Sequence, residues 1–388
     1  MRDEFTNNQV STAENRENAP SRQPTAPPAS DAMHGGAPYA GVPPVPPAGP
    51  PGQYPGAYYP DPAYYYPPLD PHEIRRNAKK SIRRNANQIS LALLSVLVLS
   101  AIFAQLFWGV LNALPTSMLS LQVQDVIFQL AEVLLRLASF LLPAAFLLSA
   151  IQLPRRWALP MRRPEALLLL CAVGCCLGTS LLGGMLAQII SAITQALLGV
   201  APVSADAAMP LGIPEMVIYA LNIAVIAPVV EEILFRGVIM QSLRQFGDGF
   251  ALLASSILFG LAHGNLLQIP NALVMGLAMG YFVLRTNSLW TGIVLHMVNN
   301  ALAVGLQITT RYTTPQQDMM VGNAAFLLFV VSGIIGLIFL RACYGPVFCL
   351  KKEPHPLGAA EKQFAFFTAP ATIMYVLLVV AMAAGNLQ

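Results

Sequence analysis

Long apolar spans follow one another from Gln88 to the end of the chain, and this series limits the fold more than any other feature. About 20 apolar residues cross the hydrocarbon core of a bilayer, and most of the spans reach that length. Hydrophobic residues make up 55% of the chain and charged residues 11%, which leaves too few charges to cover a soluble core. The sequence therefore predicts an all-α bundle of about eight to nine transmembrane helices within residues 88–388, and it excludes a soluble enzyme.

Two of the apolar spans are less regular than the others. The span at 250–265 is short and ends in polar residues, and the span at 165–199 is long enough to be tilted or broken near Gly183 and Gly184. The full set covers residues 88–111, 126–153, 165–199, 214–240, 250–265, 269–285, 289–309, 323–342 and 364–386.

Residues 1–72 differ in composition from the rest of the chain. More than half of the 32 prolines come before Glu73, and tyrosine and glycine are interleaved with them. Proline disrupts both helix and sheet, and the segment has no aliphatic run that could form a core, so we expect a disordered cytoplasmic tail. This tail is either a solvated spacer or a docking segment for a proline-binding partner, and the sequence leaves both open.

Residues 73–87 form a basic collar directly before the first span. Such a cluster is expected to stay cytoplasmic and to bind anionic lipid, whereas a net charge of only +3 argues against nucleic acid as a partner. With the collar inside, the other basic residues fall mainly in inside loops, and Arg311 alone falls in an outside loop. This asymmetry predicts a cytoplasmic N-terminus and a C-terminus outside. The basic residues of the collar are Arg75, Arg76, Lys79, Lys80, Arg83 and Arg84.

Charged residues within the spans need a partner, a wet cavity or a function, because each costs about 2.5–3.5 kcal/mol on insertion. Glu132 and Arg136 lie four residues apart in the second span, and this spacing predicts an ion pair along one helix face. We interpret that pair as structural and place it outside any active site.

A second charged group follows an apolar run in the fourth span. Glu232 and Arg236 are four residues apart and can pair, whereas Glu231 is rotated by about 100° on the helix and lacks that partner. Pro228, one turn earlier, removes a backbone donor and is expected to kink or open the helix. The group is either a charged helix end at the cytoplasmic surface or a carboxylate base with its supporting pair.

Two histidines lie in later spans. His263 is the only ionisable residue between residues 250 and 271, and His296 shares a helix face with Asn300. Each of these features alone is compatible with a structural hydrogen bond between helices. Together with Glu231, they indicate a carboxylate, two imidazoles and an amide on three helices around a shared cavity, which favours a hydrolytic site.

These residues resemble the CPBP family of intramembrane proteases, which includes the type II CAAX prenyl endopeptidases and the Abi, or bacteriocin-immunity, proteins. The resemblance rests on three motifs in order: EExxxR at Glu231–Arg236, FxxxH at Phe259–His263 and HxxxN at His296–Asn300. It covers residues 213–310 and implies a helical bundle with a water-filled cavity open to the cytoplasmic side. The tail and the outer spans lie beyond it.

The resemblance also implies roles for the motif residues. Glu231 would activate water together with His263, and His296 and Asn300 would stabilise the oxyanion. Glu232 and Arg236 would be supporting residues, and Phe259 would pack beside the site.

Two questions about the chemistry stay open at the level of the sequence. Glu231, His263 and His296 could bind Zn²⁺ in a metal-assisted reaction, but no HExxH motif presets two histidines on one helix turn. The motifs are also compatible with a non-catalytic immunity or scaffold protein and, less well, with an ion or proton transporter. For an enzyme, we expect a peptide or membrane-protein substrate in a bacterial plasma membrane.

Overall fold

The computed structural model describes residues 70–113, 120–200, 209–210, 212–347, 349–351, 354–385 and 387. Residues 1–69 lie outside the described residues, so the disorder of the tail stays a prediction. Within the described ranges the regular elements are all helical, and Met161 and Ser288 form an isolated β-bridge. The predicted all-α class is confirmed.

Eleven helices make up the described part of the chain. They are α1 (Pro71–Ala113), α2 (Leu121–Ile151), α3 (Arg155–Ala158), α4 (Ala166–Leu198), α5 (Ile213–Phe246), α6 (Asp248–Ala262), α7 (Gln268–Thr286), α8 (Leu289–Thr310), α9 (Pro315–Tyr344), α10 (Ala359–Phe367) and α11 (Pro370–Gly385).

Seven of these helices are long and apolar enough to cross a membrane: α1, α2, α4, α5, α7, α8 and α9. Helices α10 and α11 are bent by 73° relative to each other. If this pair counts as one broken span, the total rises from seven to eight. The short apolar span predicted at 250–265 is α6, which has only 15 residues. Helix α4 runs without a break through Gly183 and Gly184, so the chain does not interrupt that span. The structure confirms a polytopic membrane bundle.

Several basic loops meet at one end of the bundle, which we call the basic end. Arg75 of the collar pairs with Glu361 of α10 at 2.7 Å. Arg285, at the end of α7, donates to the Tyr344 carbonyl oxygen at 2.7 Å. These contacts place the collar, the α7–α8 turn and the α9–α10 loop together, as the alternation of basic loops predicts.

The loop between α3 and α4 reaches the same end. The Leu289 N–H donates to the Pro160 carbonyl oxygen at 2.7 Å, beside the Met161–Ser288 bridge. Arg311, in contrast, donates to the Pro210 carbonyl oxygen in the loops at the opposite end. The basic loops and the Arg311 loop are therefore separated by the bundle, and the identity of the cytoplasmic side stays a prediction.

Helices α6 and α7 approach closely along Gly276 and Gly280 of α7. A Cβ atom built on Gly276 would lie 3.2 Å from Ser256 Cβ, and one on Gly280 would lie 2.6 Å from Leu252 Cδ1. Larger residues would push the helices apart. The glycines therefore fix the position of α6, whose last turn carries two of the motif residues.

Candidate active site

The four residues predicted to be catalytic line one cavity of about 660 Å³. Glu231 comes from α5, His263 from the end of α6, and His296 and Asn300 from α8. A volume of this size is typical of sites that bind small molecules or extended peptides. The structure thus brings together side chains that are separated by up to about 70 residues in the chain.

Glu231 lies between a cation and an imidazole. Its side chain is 13% exposed, Oε1 is 3.8 Å from Arg136 Nη1, and Oε2 is 3.9 Å from His296 Nε2. Both distances are too long for a direct hydrogen bond. Glu231 therefore lies close to both groups without a direct hydrogen bond to either.

Glu232 and Arg236 form the predicted pair along α5, at 2.7 Å between Oε1 and Nη1. Both side chains are buried, and the Arg236 guanidinium lies 3.9 Å from the centre of the Phe259 ring. A buried ion pair of this kind requires good geometry to offset its desolvation. The contact of Arg236 with Phe259 links α5 to α6.

The position of the His296 ring is set by Glu232. Nδ1 is 3.2 Å from Glu232 Oε1, so this nitrogen donates its hydrogen to the carboxylate. Nε2 then faces Glu231 across the cavity. A carboxylate partner on one ring nitrogen orients the other nitrogen, as in many catalytic histidines.

His263 is held by the backbone of its own helix. Nδ1 is 2.9 Å from the Phe259 carbonyl oxygen and donates to it, which leaves Nε2 as an acceptor in the neutral ring. The Phe259 ring packs edge-on against both histidines, with centroid separations of 5.0 Å to His263 and 5.7 Å to His296. Phe259 thus packs against both candidate histidines.

Pro228 accounts for the position of Asn300. The Ala227 N–H donates to the Asn222 carbonyl oxygen in a π-helical turn at Asn222–Ile226. The next bond in that pattern would run from residue 228 to Ile223, but proline has no N–H. Asn300 Nδ2 donates to the Ile223 carbonyl oxygen instead, at 3.1 Å. The expected irregularity at Pro228 is therefore a π-turn that binds one of the predicted site residues.

Sequence reasoning missed several residues of the cavity. Arg136 lines it and donates from Nε to Asn222 Oδ1 at 3.1 Å, which differs from the structural role beside Glu132 expected from the sequence. Amide side chains from the turn between α6 and α7 and from the first turn of α7 line it as well, among them Asn265 and Asn271. In the sequence, this turn could have been found from the polar residues that separate two apolar helices.

The cavity lies away from the basic end. Its exposed lining residues Gln188 and Ala303 belong to the halves of α4 and α8 that are remote from that end. The side of the membrane that the cavity faces, and the cytoplasmic opening that the resemblance implies, stay predictions.

The candidate metal ligands do not assemble into a metal site. Across the described ranges, no group of three or more His, Cys, Asp or Glu side chains is placed to hold a metal ion. His296 Nδ1 is bonded to Glu232, and its Nε2 lies 3.9 Å from Glu231 Oε2. The donor set therefore does not fit Zn²⁺ in this arrangement.

Comparisons with known proteins point to one family. Residues 213–302 match the family model described as "Type II CAAX prenyl endopeptidase Rce1-like". The protein named "Putative membrane peptidase YdiL" from Bacillus subtilis (strain 168) is 31% identical over 97 residues, which cover 25% of this chain and 38% of that relative. No solved structure matches. The matched segment carries all three motifs, and both findings support the resemblance of this segment to the CPBP family.

Proposed function

We propose that this protein is an intramembrane endopeptidase that hydrolyses peptide bonds with water activated by Glu231 and His263. The observation that carries the proposal is the convergence of Glu231, His263, His296 and Asn300 on one cavity within a membrane bundle. Peptide hydrolysis needs a base for water, an acid for the leaving amine and donors for the oxyanion. These four side chains can supply all three functions.

In the first step, a water molecule beside Glu231 attacks the carbonyl carbon of the substrate. The Glu231 carboxylate accepts one proton of this water, and His263 Nε2 accepts a hydrogen bond from it. The new C–O bond forms as the carbonyl π electrons move to oxygen. In the second step, the protonated Glu231 gives its proton to the amide nitrogen as the C–N bond breaks, which releases an amine and a carboxylic acid.

The oxyanion of the intermediate would face α8. His296 in its protonated form donates Nδ1–H to Glu232 and can donate Nε2–H to the oxyanion. Asn300 Nδ2 has two hydrogens, one of which goes to the Ile223 carbonyl oxygen, and the second can point at the same oxyanion. Donors fixed in this way need little reorganisation during the reaction.

Three further residues act as positioning residues in this proposal. Glu232 orients the His296 ring, Arg236 neutralises Glu232 and packs on Phe259, and Arg136 holds the far side of the Glu231 carboxylate. A displacement of about 1 Å in such a site lowers rates by about 10²-fold. Their removal should therefore lower activity without removing the chemistry itself.

The substrate class follows from the setting of the cavity. A site between membrane helices suits a peptide or a membrane-protein segment, and we place the enzyme in a bacterial plasma membrane. The proline-rich tail would present substrate or bind a proline-recognising partner. Cleavage that is unchanged after removal of residues 1–72 would contradict a role of the tail in substrate delivery.

The test uses the purified full chain in proteoliposomes with a pool of synthetic peptides, and products are identified by mass spectrometry. Glu231→Gln should abolish cleavage, whereas Glu132→Gln, which removes a membrane carboxylate outside the motifs, should retain it. Cleavage by both variants, or by neither variant nor the wild type, would contradict the proposal.

Treatment of the enzyme with a metal chelator distinguishes glutamate-based from metal-assisted hydrolysis. Full activity after chelation supports glutamate-based hydrolysis, and loss of activity that added Zn²⁺ restores would assign a metal-assisted reaction.

A further inference from the structure

A second concave site lies at the basic end, far from the catalytic motifs. It is a groove of about 830 Å³ between the first turns of α1 and helix α10. One wall carries the cations of the collar, and the other carries Glu361 and Phe364. The catalytic proposal uses none of these residues.

Ion pairs hold the two walls together. Arg75 Nη2 is 2.7 Å from Glu361 Oε1, and Lys79 Nζ is 3.7 Å from the same oxygen. Further along the groove, Arg83 Nη2 donates to Thr368 Oγ1 at 3.3 Å. Because these three cations recur every four residues, they lie on one face of α1, and they contact α10 and Thr368, the residue that follows it. Specific contacts between its two walls therefore form the groove.

The groove has a large excess of positive charge. Five Arg and Lys side chains line it, together with His72, against the single carboxylate of Glu361. Arg76 and Lys80 belong to the second cationic face of α1, and the Arg76 side chain is 78% exposed. A compact anion in the groove would meet several donors at once.

An apolar surface adjoins these charges. Phe364 is 69% exposed and lines the groove with Ala360 and Ala365. An exposed phenylalanine beside a cluster of cations is unfavourable in water and favourable where a charged group and a hydrocarbon chain meet. The groove therefore suits a ligand that is anionic at one end and apolar at the other.

The groove also lies at the level of a bilayer surface. No ionisable residue occurs between Arg84 and Asp125, so α1 enters the hydrocarbon directly after the collar. Trp157 and Trp290 are exposed at the same end of the bundle, with 48% and 45% of their surface accessible. Tryptophan is enriched at membrane interfaces. A lipid headgroup is thus the anion that reaches the groove most easily.

We propose that this groove is a specific binding site for an anionic phospholipid. The phosphate group lies between the collar cations, and the start of an acyl chain lies over Phe364. This goes beyond a diffuse attraction between a basic collar and a charged membrane, because one lipid is bound by two helices that are distant in the sequence.

The experiment titrates the full chain, purified in detergent, with dioleoyl phosphatidylglycerol, dioleoyl phosphatidylcholine or inorganic phosphate, and native mass spectrometry counts the bound species. The test variant is Arg76→Gln with Lys80→Gln. The matched control is Arg155→Gln with Arg156→Gln, which removes two exposed cations at the same end but outside the groove. Thermal unfolding checks that both variants are folded.

We expect one phosphatidylglycerol to bind in preference to phosphatidylcholine. The groove variant should weaken this binding by roughly 30-fold, from about 1 kcal/mol for each cation, while the control retains it. Phe364→Ser should weaken lipid binding as well, without any effect on phosphate.

Three results would overturn the proposal. Equal losses in the two double variants would mean that only the overall charge matters. Equal binding of the two lipids would remove the need for an anion. Displacement of the lipid by inorganic phosphate at equal concentration would assign a general anion site.

Discussion

Arg136 Nη1 lies 3.8 Å from Glu231 Oε1, and this contact joins helix α2 to the motif helix α5. The same guanidinium donates to Asn222, which is buried in the π-turn that precedes Pro228. Arg136 therefore ties the proposed base to the irregular part of its own helix. It belongs to the site although it lies outside the matched segment at residues 213–302.

The first prediction contrasts Arg136 with its neighbour on α2. Arg136→Gln should lower cleavage by roughly 10-fold to 100-fold, because Glu231 loses the group that fixes its position. Its effect on the free energy of unfolding should be only about 1 kcal/mol, since the side chain is 32% exposed. Glu132→Gln should leave cleavage unchanged, and an equal loss of cleavage in the two variants would contradict this assignment.

The second prediction concerns the buried pair. Glu232→Ala leaves the fully buried Arg236 without its carboxylate, so unfolding should become easier by about 3–5 kcal/mol. The double variant Glu232→Leu with Arg236→Met removes both charges and should recover much of that stability while cleavage stays low, because His296 has lost its partner. Thermal unfolding in detergent and the peptide assay measure the two effects. A double variant that is less stable than the single one would show that the pair is not coupled as described.

Gly292 provides a steric test of the position of the Glu232 carboxylate. A Cβ atom there would lie 2.4 Å from Glu232 Oε2 and 2.8 Å from Val283 Cγ2, so Gly292→Ala should displace Glu232 and lower cleavage by at least roughly 10-fold. Gly305, on the same helix, has open space around its Cα atom. Gly305→Ala should be neutral or should stabilise α8 by up to about 1 kcal/mol. If the peptide assay gives equal activities for the two alanine variants, the close packing around Glu232 is not as described.

A pH-dependent contribution to stability is predicted for the loop between α9 and α10. Burial lowers the pKa of His355, and the positive charge of Lys362 lowers it further. The folded protein therefore binds this proton less tightly than the unfolded chain, whose histidine pKa is about 6.5. The neutral form of His355 therefore contributes stability to the folded protein that is fully present above about pH 6.5. This contribution is lost as the pH falls below that value.

His355→Asn isolates this effect. Asparagine can still accept a hydrogen bond from the Leu357 N–H, as His355 Nδ1 does at 3.1 Å, but it does not titrate. Thermal unfolding between about pH 7 and pH 5 should therefore show a smaller loss of stability in the variant than in the wild type. An identical loss in both proteins would assign the pH dependence to other groups.

The parts of the site that the sequence could predict were those with a charge or an imidazole inside an apolar helix. Glu231, His263 and His296 stand out because burial of such groups in a membrane is costly, and the three motifs placed them on separate helices. The pairing of Glu232 with Arg236 followed from helix geometry alone. These predictions needed no knowledge of how the helices pack.

Other features depend on contacts between distant segments. Arg136 has a carboxylate one turn before it, and this local partner hid its contact with Glu231. The link from Asn300 to Ile223 depends on a π-turn, and the sequence indicated only that Pro228 disturbs the helix. Local spacing determines which residues can interact within one helix, whereas interhelical contacts depend on packing.

The most direct test of the catalytic proposal compares new peptide termini in membranes that contain the wild type or Glu231→Gln at equal levels. Glutamine retains the shape of the side chain and removes its basicity, so the variant should fold and fail to activate water. We predict termini that appear only with the wild type and that lie in or next to membrane segments of other proteins. Identical sets of termini from the two folded forms would contradict the account of this protein as a glutamate-dependent peptidase.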